Sequence, residues 1–358
     1  MTRSPAHNFQ YGYSDSPEEL SFITIGLITA LPTEYAAVTA ILDEEYGRPS
    51  GFRKPSSDYN VYAWGRIGSH NVVVASFPKR NYGKVAAADV ARLMVSAFPS
   101  IRVGLLVGIG GGVPQPQQGR DIRLGDVVVS TPTGTTGGVV QYDIGKEENS
   151  FRRTGSLGEP PQSLLSAMGA LEAEHKRRRK SNIPTIMANA LDRNPGMAED
   201  VDDPAYTYQG FENDFLFQSW YKHPDGHPDC TNCDSREMIG RMQRPGNTPK
   251  IHYGLIASGD RVIKNAQRRD EIAEKLQHEI GDKCMCFEME AAGLMNNFPC
   301  LVIRGISDYS DSHKNDRWQN YAAMTAAAYA KELLDVAQSD EVADAQEARE
   351  IIGEIHSS

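Results

Sequence analysis

Apolar and polar positions alternate along most of the chain between short β-branched runs and stretches with helical spacing. Residues 22–28, Phe-Ile-Thr-Ile-Gly-Leu-Ile, read as a buried strand. Pro32 follows, then 34–42, where Tyr35, Val38 and Leu42 recur at helical spacing. Proline suits the first turn of a helix, because the N–H it lacks has no partner there. Strands are expected at 60–66 and 71–77, and a helix at 83–97 with Val85, Ala88 and Leu93 inward. A strongly apolar strand at 103–107 runs into Gly108-Ile109-Gly110-Gly111-Gly112, and shorter strands fall at 126–130 and 139–142. The pattern resumes with 251–257, 266–280, 288–296 and 301–306 and closes on an Ala-rich helix at 321–337. Between about 150 and 250, charge clusters, proline pairs and short helical patches replace the strand signals.

This arrangement predicts an α/β fold: one domain at 21–338, a central mixed, twisted sheet flanked by helices, and a large insertion at about 150–250. Residues 1–20 are polar, show no sustained period and read as a mobile arm; 339–358 read as an acidic helix or tail.

Composition narrows the function. With 358 residues and 40% hydrophobic content the chain can bury a large core. A net charge of −10 disfavours a nucleic-acid partner, which calls for a concentrated basic surface. No apolar run approaches the roughly 18–20 residues of a membrane span, and the N-terminus lacks the apolar stretch of a secretory signal, so no membrane partner is expected. Five cysteines, an odd number, do not make a disulfide framework and point to a reducing, cytoplasmic compartment.

Three motifs call for a plainer reading than the one they first suggest. The glycine cluster fails the dinucleotide fingerprint, since Val113 stands at the last glycine position and Pro114 follows where a helix should begin; at a strand end it suits close approach of a ligand. His223, His227, Cys230 and Cys233 form H-x3-H-x2-C-x2-C, a set able to hold zinc, but the spacing is no standard finger and reads as a surface loop, with no metal. Lys176-Arg177-Arg178-Arg179-Lys180 reads as a solvated helix end, where cations suit the dipole.

Four segments place polar groups at the ends of apolar strands: 26–34, 106–112, 287–293 and 302–308. Open α/β sheets put their sites in such a crevice. Here a resemblance emerges. Gly26-Leu-Ile-Thr-Ala-Leu-Pro-Thr-Glu34, Tyr82-Gly-Lys-Val-Ala86, Leu124-Gly-Asp-Val-Val128, Ser258-Gly-Asp260, Glu288-Met-Glu290 and Ser307-Asp308 occur in the order found in the purine/uridine phosphorylase superfamily. They resemble above all its nucleosidase branch, typified by methylthioadenosine/S-adenosylhomocysteine nucleosidase, over residues 22–145 and 250–335. The phrase from Cys286 to Cys300, with Asp308 to Asn315, is similar to nucleoside-phosphorylase-like domains of fungal proteins that often precede NACHT or repeat modules; the expectation here is a catalytic core without such a module.

The resemblance implies roles. Asp308 protonates the purine, oriented by Ser307; Glu290 holds the ribose hydroxyls, Met289 packs beneath the sugar and Glu288 supports that face. Gly110, Val262, Ile263 and Ser307 surround the base, although an aromatic is usual where this chain has Arg261-Val262-Ile263. Phosphorylases of this superfamily hold phosphate where Glu34, Leu106 and Ile109 stand here; a carboxylate and two apolar side chains give phosphate no donor. Glu34 instead matches the nucleosidase glutamate that activates water. Arg80, Arg261, His313 and Lys314 are candidates for a 5′-phosphate. The expectation is a purine nucleosidase without cofactor, acting on an adenine nucleoside or nucleotide as a homodimer or higher oligomer. Its rivals are a phosphorylase and a catalytically idle nucleotide sensor.

Overall fold

The computed structural model describes residues 20–351 apart from 80–81, 148–150, 202, 297 and 349. In chain order the elements are β1 (Ile23–Thr29), α1 (Pro32–Ala40), β2 (Glu44–Tyr46), β3 (Val61–Ile67), β4 (His70–Ser76), α2 (Lys84–Ala97), β5 (Val103–Gly112), β6 (Val127–Ser130), β7 (Val139–Gln141), β8 (Gly145–Glu147) and β9 (Phe151–Arg153). There follow α3 (Gln162–Arg178), α4 (Ile183–Arg193), β10 (Ile251–Ser258), α5 (Ala266–Ile280), β11 (Cys284–Glu288), α6 (Ala291–Leu294), β12 (Cys300–Asp308), α7 (Gln319–Val336) and α8 (Ser339–Ala343).

One sheet runs in the order β11-β10-β6-β12-β5-β1-β4-β3-β2, with β7 beside β10, and β8 and β9 form a separate hairpin. It is mixed: β5 lies parallel to β1 and β12, whereas β12 and β6 are antiparallel. The far end of β5 pairs with β11 through Gly111–Phe287 and Gly112–Cys286. That pairing returns the end strand of the order to its middle, so β5, β12, β6, β10 and β11 close on one another as a small barrel.

The glycine cluster does not end its strand, as the sequence suggested, but carries β5 on to Gly112. None of its four glycines has a positive φ. The glycines matter for the space that they leave, not for an unusual backbone. The stretch 288–296 also divides: Glu288 closes β11, and α6 is a single turn.

The insertion is built into the core. Leu164 and Leu171 of α3 and Ile183 and Ile186 of α4 are buried with Tyr329 and Leu333 of α7 in one cluster. The basic run ends α3, where Lys176 and Arg178 pair with Glu172 and Glu174 one turn back. Among the described residues, 194–250 carry only short 3-10 turns and one isolated bridge, Phe217–Met238. Beyond α7, Val342 and Ala348 are buried, Ala348 N–H donates to the Ile101 carbonyl at 2.9 Å, and Glu347 lies 3.4 Å from Arg102. The acidic segment is thus docked on the domain as far as residue 351; the arm at 1–19 and the last seven residues, 352–358, lie outside the described residues. Among the described residues, no helix is long and apolar enough to cross a membrane.

Candidate active site

The chain turns from β1 into α1 at Ala30-Leu31, and Glu34 in the first turn of α1 reaches back over that corner. Its Oε2 accepts the N–H groups of Ala30 (2.7 Å) and Leu31 (2.9 Å), and its Oε1 accepts that of Ile109 on β5 (2.8 Å). Only 2% of the residue is exposed. Burial holds this carboxyl above the usual glutamate range, against the opposing pull of Arg304 and the three N–H groups.

Arg304 lies in the middle of β12, 1% exposed. Its guanidinium pairs with Glu288 and, at 3.1 Å, with Glu290. The same Glu288 oxygen accepts the N–H groups of Glu290 (3.0 Å) and Ala291 (2.9 Å), which fixes the turn between β11 and α6. Three buried carboxylates therefore share one buried cation. Burial pushes the Glu290 carboxyl up to about 7; Arg304 opposes this, and Glu288 and Glu34 add to it. Gly108 makes the arrangement possible, because a Cβ there would run into both the Arg304 guanidinium and the Glu34 carboxylate. Sequence reasoning missed Arg304. The available signal was a lone charge inside Leu301-Val-Ile-Arg-Gly-Ile306, where burial without partners is prohibitive.

Asp308 closes β12. Its Oδ1 accepts the Ser310 N–H at 2.8 Å, with Ser310 in the left-handed region at φ 52°, a conformation seldom adopted by a non-glycine residue. Its Oδ2 accepts the Ser307 hydroxyl at 3.1 Å and lies 2.8 Å from Lys314 Nζ.

These groups line one cavity of about 230 Å³. It brings together Glu34, Gly110, Glu288, Met289, Glu290, Ser307 and Asp308 with Arg261, Val262, Ile263 and Lys314. Leu31, Tyr82, Phe287, Ser310 and Gln319 also line it and were not foreseen. Arg80 lies outside the described residues. His313 is not on the cavity wall; it is buried in a stack with Phe217 (centroids 4.1 Å apart) and Tyr221 (5.4 Å), so as it stands it is not presented to a phosphate. Leu106 faces the apolar core rather than the cavity.

No protein-family model matches the chain. It is 43% identical over 321 residues to a nucleotide-binding leucine-rich repeat (NLR)-like protein of Hyaloscypha variabilis, covering 89% of this chain and 29% of that protein. It is 34% identical over 330 residues to the ATP nucleosidase Cap17 of Escherichia coli, covering 86% of this chain and 50% of that protein. The chain thus spans half or less of the length of these two relatives. Futalosine hydrolase of Helicobacter pylori superposes with a TM-score of 0.52 at 18% identity, over 88% of this chain and 98% of that one. A 5′-methylthioadenosine/S-adenosylhomocysteine nucleosidase of S. pneumoniae does so with the same score and identity, over 88% and 100%.

The chain is similar in sequence to an ATP nucleosidase and shares the fold of nucleosidase structures.

Within this nucleosidase-like fold, the phrases that carry the resemblance hold the cavity walls in place. Lys84 bridges Asp143 (3.0 Å) and Asp260 (3.1 Å), tying Tyr82-Gly83-Lys84 to Ser258-Gly259-Asp260. Asp126 is buried beneath β6 and binds Arg244 (2.6 Å) and His252 (2.9 Å), which keeps its carboxyl below the ordinary range despite burial. The insertion braces the segment after Asp308: Arg241 donates to the Tyr309 hydroxyl at 2.9 Å and pairs with Asp214 at 3.0 Å, and Asp214 accepts that same hydroxyl.

Proposed function

We propose that the chain hydrolyses the N-glycosidic bond of an adenine nucleoside or nucleotide, releasing the free base and the sugar. Hydrolysis needs a base for water, a binder for the sugar hydroxyls and an acid for the leaving purine. Glu34, Glu290 and Asp308 take these roles, and all three face one cavity. Burial raises the Glu34 carboxyl and so makes its ionised form the stronger base. Glu290, near 7, takes either protonation state close to neutral pH and suits paired sugar hydroxyls.

The observation that carries hydrolysis over phosphorolysis is the fixing of Glu34 by three backbone N–H groups. Those donors would otherwise serve an anion, and they are taken up by the protein's own carboxylate. Among the described residues, the buried cation beside them, Arg304, is committed to Glu288 and Glu290. A phosphate dianion entering beside Glu34 would meet a buried negative charge. The names of the relatives specify ATP, methylthioadenosine and S-adenosylhomocysteine, whose common part is adenosine, and this supports adenine as the base.

An anionic 5′ group is supported by Lys314. An ammonium can only donate, so it must leave Asp308 Oδ2 before that oxygen can carry the proton that a purine takes. A substrate phosphate offers Lys314 another partner. Arg261, on the same cavity, adds a second cation.

The test is chromatography of the protein incubated with adenosine, inosine, methylthioadenosine, AMP and ATP, each with and without phosphate. Free adenine without phosphate is the expected result. Ribose 1-phosphate, formed only when phosphate is present, would overturn the assignment of Glu34. Lys314→Met is expected to lower kcat/KM for nucleotides by about 10- to 100-fold, the loss of one charge-assisted bond, and to affect adenosine much less.

A further inference from the structure

The structure brings three members of the His/Cys phrase together, contrary to its reading as a plain surface loop. Ligand atoms of His223, Cys230 and Cys233 all lie within 4.8 Å of one another. His227 is apart, hydrogen-bonded to Asn232 at 3.0 Å. A tetrahedral zinc with bonds of about 2.0 Å to nitrogen and 2.3 Å to sulfur sets its ligand atoms about 3.3–3.8 Å apart, so shifts of about 1 Å would close this set on an ion.

The local chain is shaped for this. Cys230 to Asn232 form a 3-10 turn, Cys233 N–H donates to the Cys230 carbonyl at 3.1 Å, and Asp229 caps the turn by accepting the Thr231 N–H at 2.9 Å. A Cys-x2-Cys turn of this form points both thiols to one side. His223 Nε2 bonds the Asp229 carbonyl at 2.8 Å. A carbonyl only accepts, so Nε2 carries the proton and Nδ1 the lone pair that a metal takes.

A second observation points the same way. His313, 7% exposed, has both ring nitrogens buried without a hydrogen-bond partner, the Asp311 carboxylate standing 3.7 Å from Nδ1, and its ring centroid is 5.4 Å from that of His223. Two imidazoles on one tetrahedral zinc have centroids about 5 Å apart. A buried histidine with two unsatisfied nitrogens is costly unless something binds it.

We propose that His223, Cys230 and Cys233 form a structural site for a thiophilic divalent cation, zinc, with His313 available to complete a tetrahedral set. Binding converts each thiol to a thiolate, releases two protons and moves no electrons. The site would staple the insertion to the segment between β12 and α7. That join already holds a bond from His223 N–H to Ser312 Oγ at 3.0 Å, and the segment carries Asp308 and Lys314 into the active cavity. The proposal does not depend on the chemistry assigned to that cavity.

The test uses the whole chain, purified under reducing conditions, stripped with chelator and titrated with Zn(II) or Co(II). About one equivalent should bind, Co(II) should show thiolate charge-transfer and tetrahedral d–d bands, and Zn(II) should raise Tm by several degrees. Cys233→Ser and His223→Gln should each weaken binding at least about 10-fold while the protein remains folded by circular dichroism. Absence of the charge-transfer band in reduced wild type would overturn the proposal. So would a band that persists in both variants, since the metal would then lie elsewhere.

Discussion

At the scale of single residues, the site concentrates ionisable groups whose environments differ. Asp308 is held by a backbone N–H, a hydroxyl and an ammonium, whereas Glu290 sits deep among other carboxylates. If Asp308 delivers the proton to the base, Asp308→Asn should lower kcat by about 10²–10⁴-fold, because an amide has no transferable acid proton. Tm should hold, since the amide keeps the shape and can still accept from Ser310. Activity retained in full would remove Asp308 from the chemistry. Glu290 predicts a pH effect on stability. Its carboxyl is raised from 4.5 to about 7 in the fold. Below 4.5 it is protonated in both states, and its stabilising contribution is complete. As pH rises toward 7 the unfolded chain ionises while the folded one resists, and the contribution is lost. Wild type should therefore lose more Tm between pH 4.5 and 7 than Glu290→Gln, and the two profiles should run parallel above that window; parallel profiles throughout would show that Glu290 is not raised.

At the scale of elements, the buried charges of the cavity depend on strands crossing at close quarters. Gly108 on β5 leaves the space in which Arg304 from β12 meets Glu34 from α1. Gly108→Ala should cost about 1–3 kcal/mol in denaturant unfolding through overpacking, and should lower turnover further by displacing Glu34 from the Ile109 N–H. A variant with wild-type stability and turnover would show that the crossing is loose. The elements carrying the site were the ones that the sequence displayed most clearly. β1 and β5 are nearly continuous apolar runs because both of their faces are covered, β10 and β12 are apolar runs broken by His252 and Arg304, and α5 matched its expected span of 266–280. Short pieces were not legible: β2, β8, β9 and β11 have only three to five residues, too few for a period to show. The helices α3 and α4 read as patches because their outer faces are charged and the insertion around them is rich in proline. Arg304 was overlooked for a related reason. A buried ion pair depends on strand neighbours, and the pairing of β12 with β5, or the turn that brings Glu288 and Glu290 beneath it, has no local signature.

At the scale of the whole molecule, the question is whether the insertion is an appendage or a load shared by one core. Packing argues for sharing. Ile183 at the start of α4 is fully buried in the cluster that includes Ala37 and Ile41 near α1, Val74 of β4 and Leu333 of α7. The irregular stretch that follows contributes Arg244 to Asp126, Arg241 and Asp214 to Tyr309, and Phe217 to the stack on His313. An independent module would instead meet the domain through a polar, separable face. Ile183→Ala removes buried carbon from a site where helix, sheet and insertion meet and should cost about 2–5 kcal/mol. Trp220→Ala, in the same insertion but 64% exposed, should change stability by no more than about 0.5 kcal/mol. Because the core is continuous, the loss in Ile183→Ala should appear as a shift of a single transition, coincident by near-UV circular dichroism and by loss of the proposed base release. A separate early transition that leaves activity intact would mean that the insertion unfolds on its own and that its contacts with Tyr309 and His313 do not support the site.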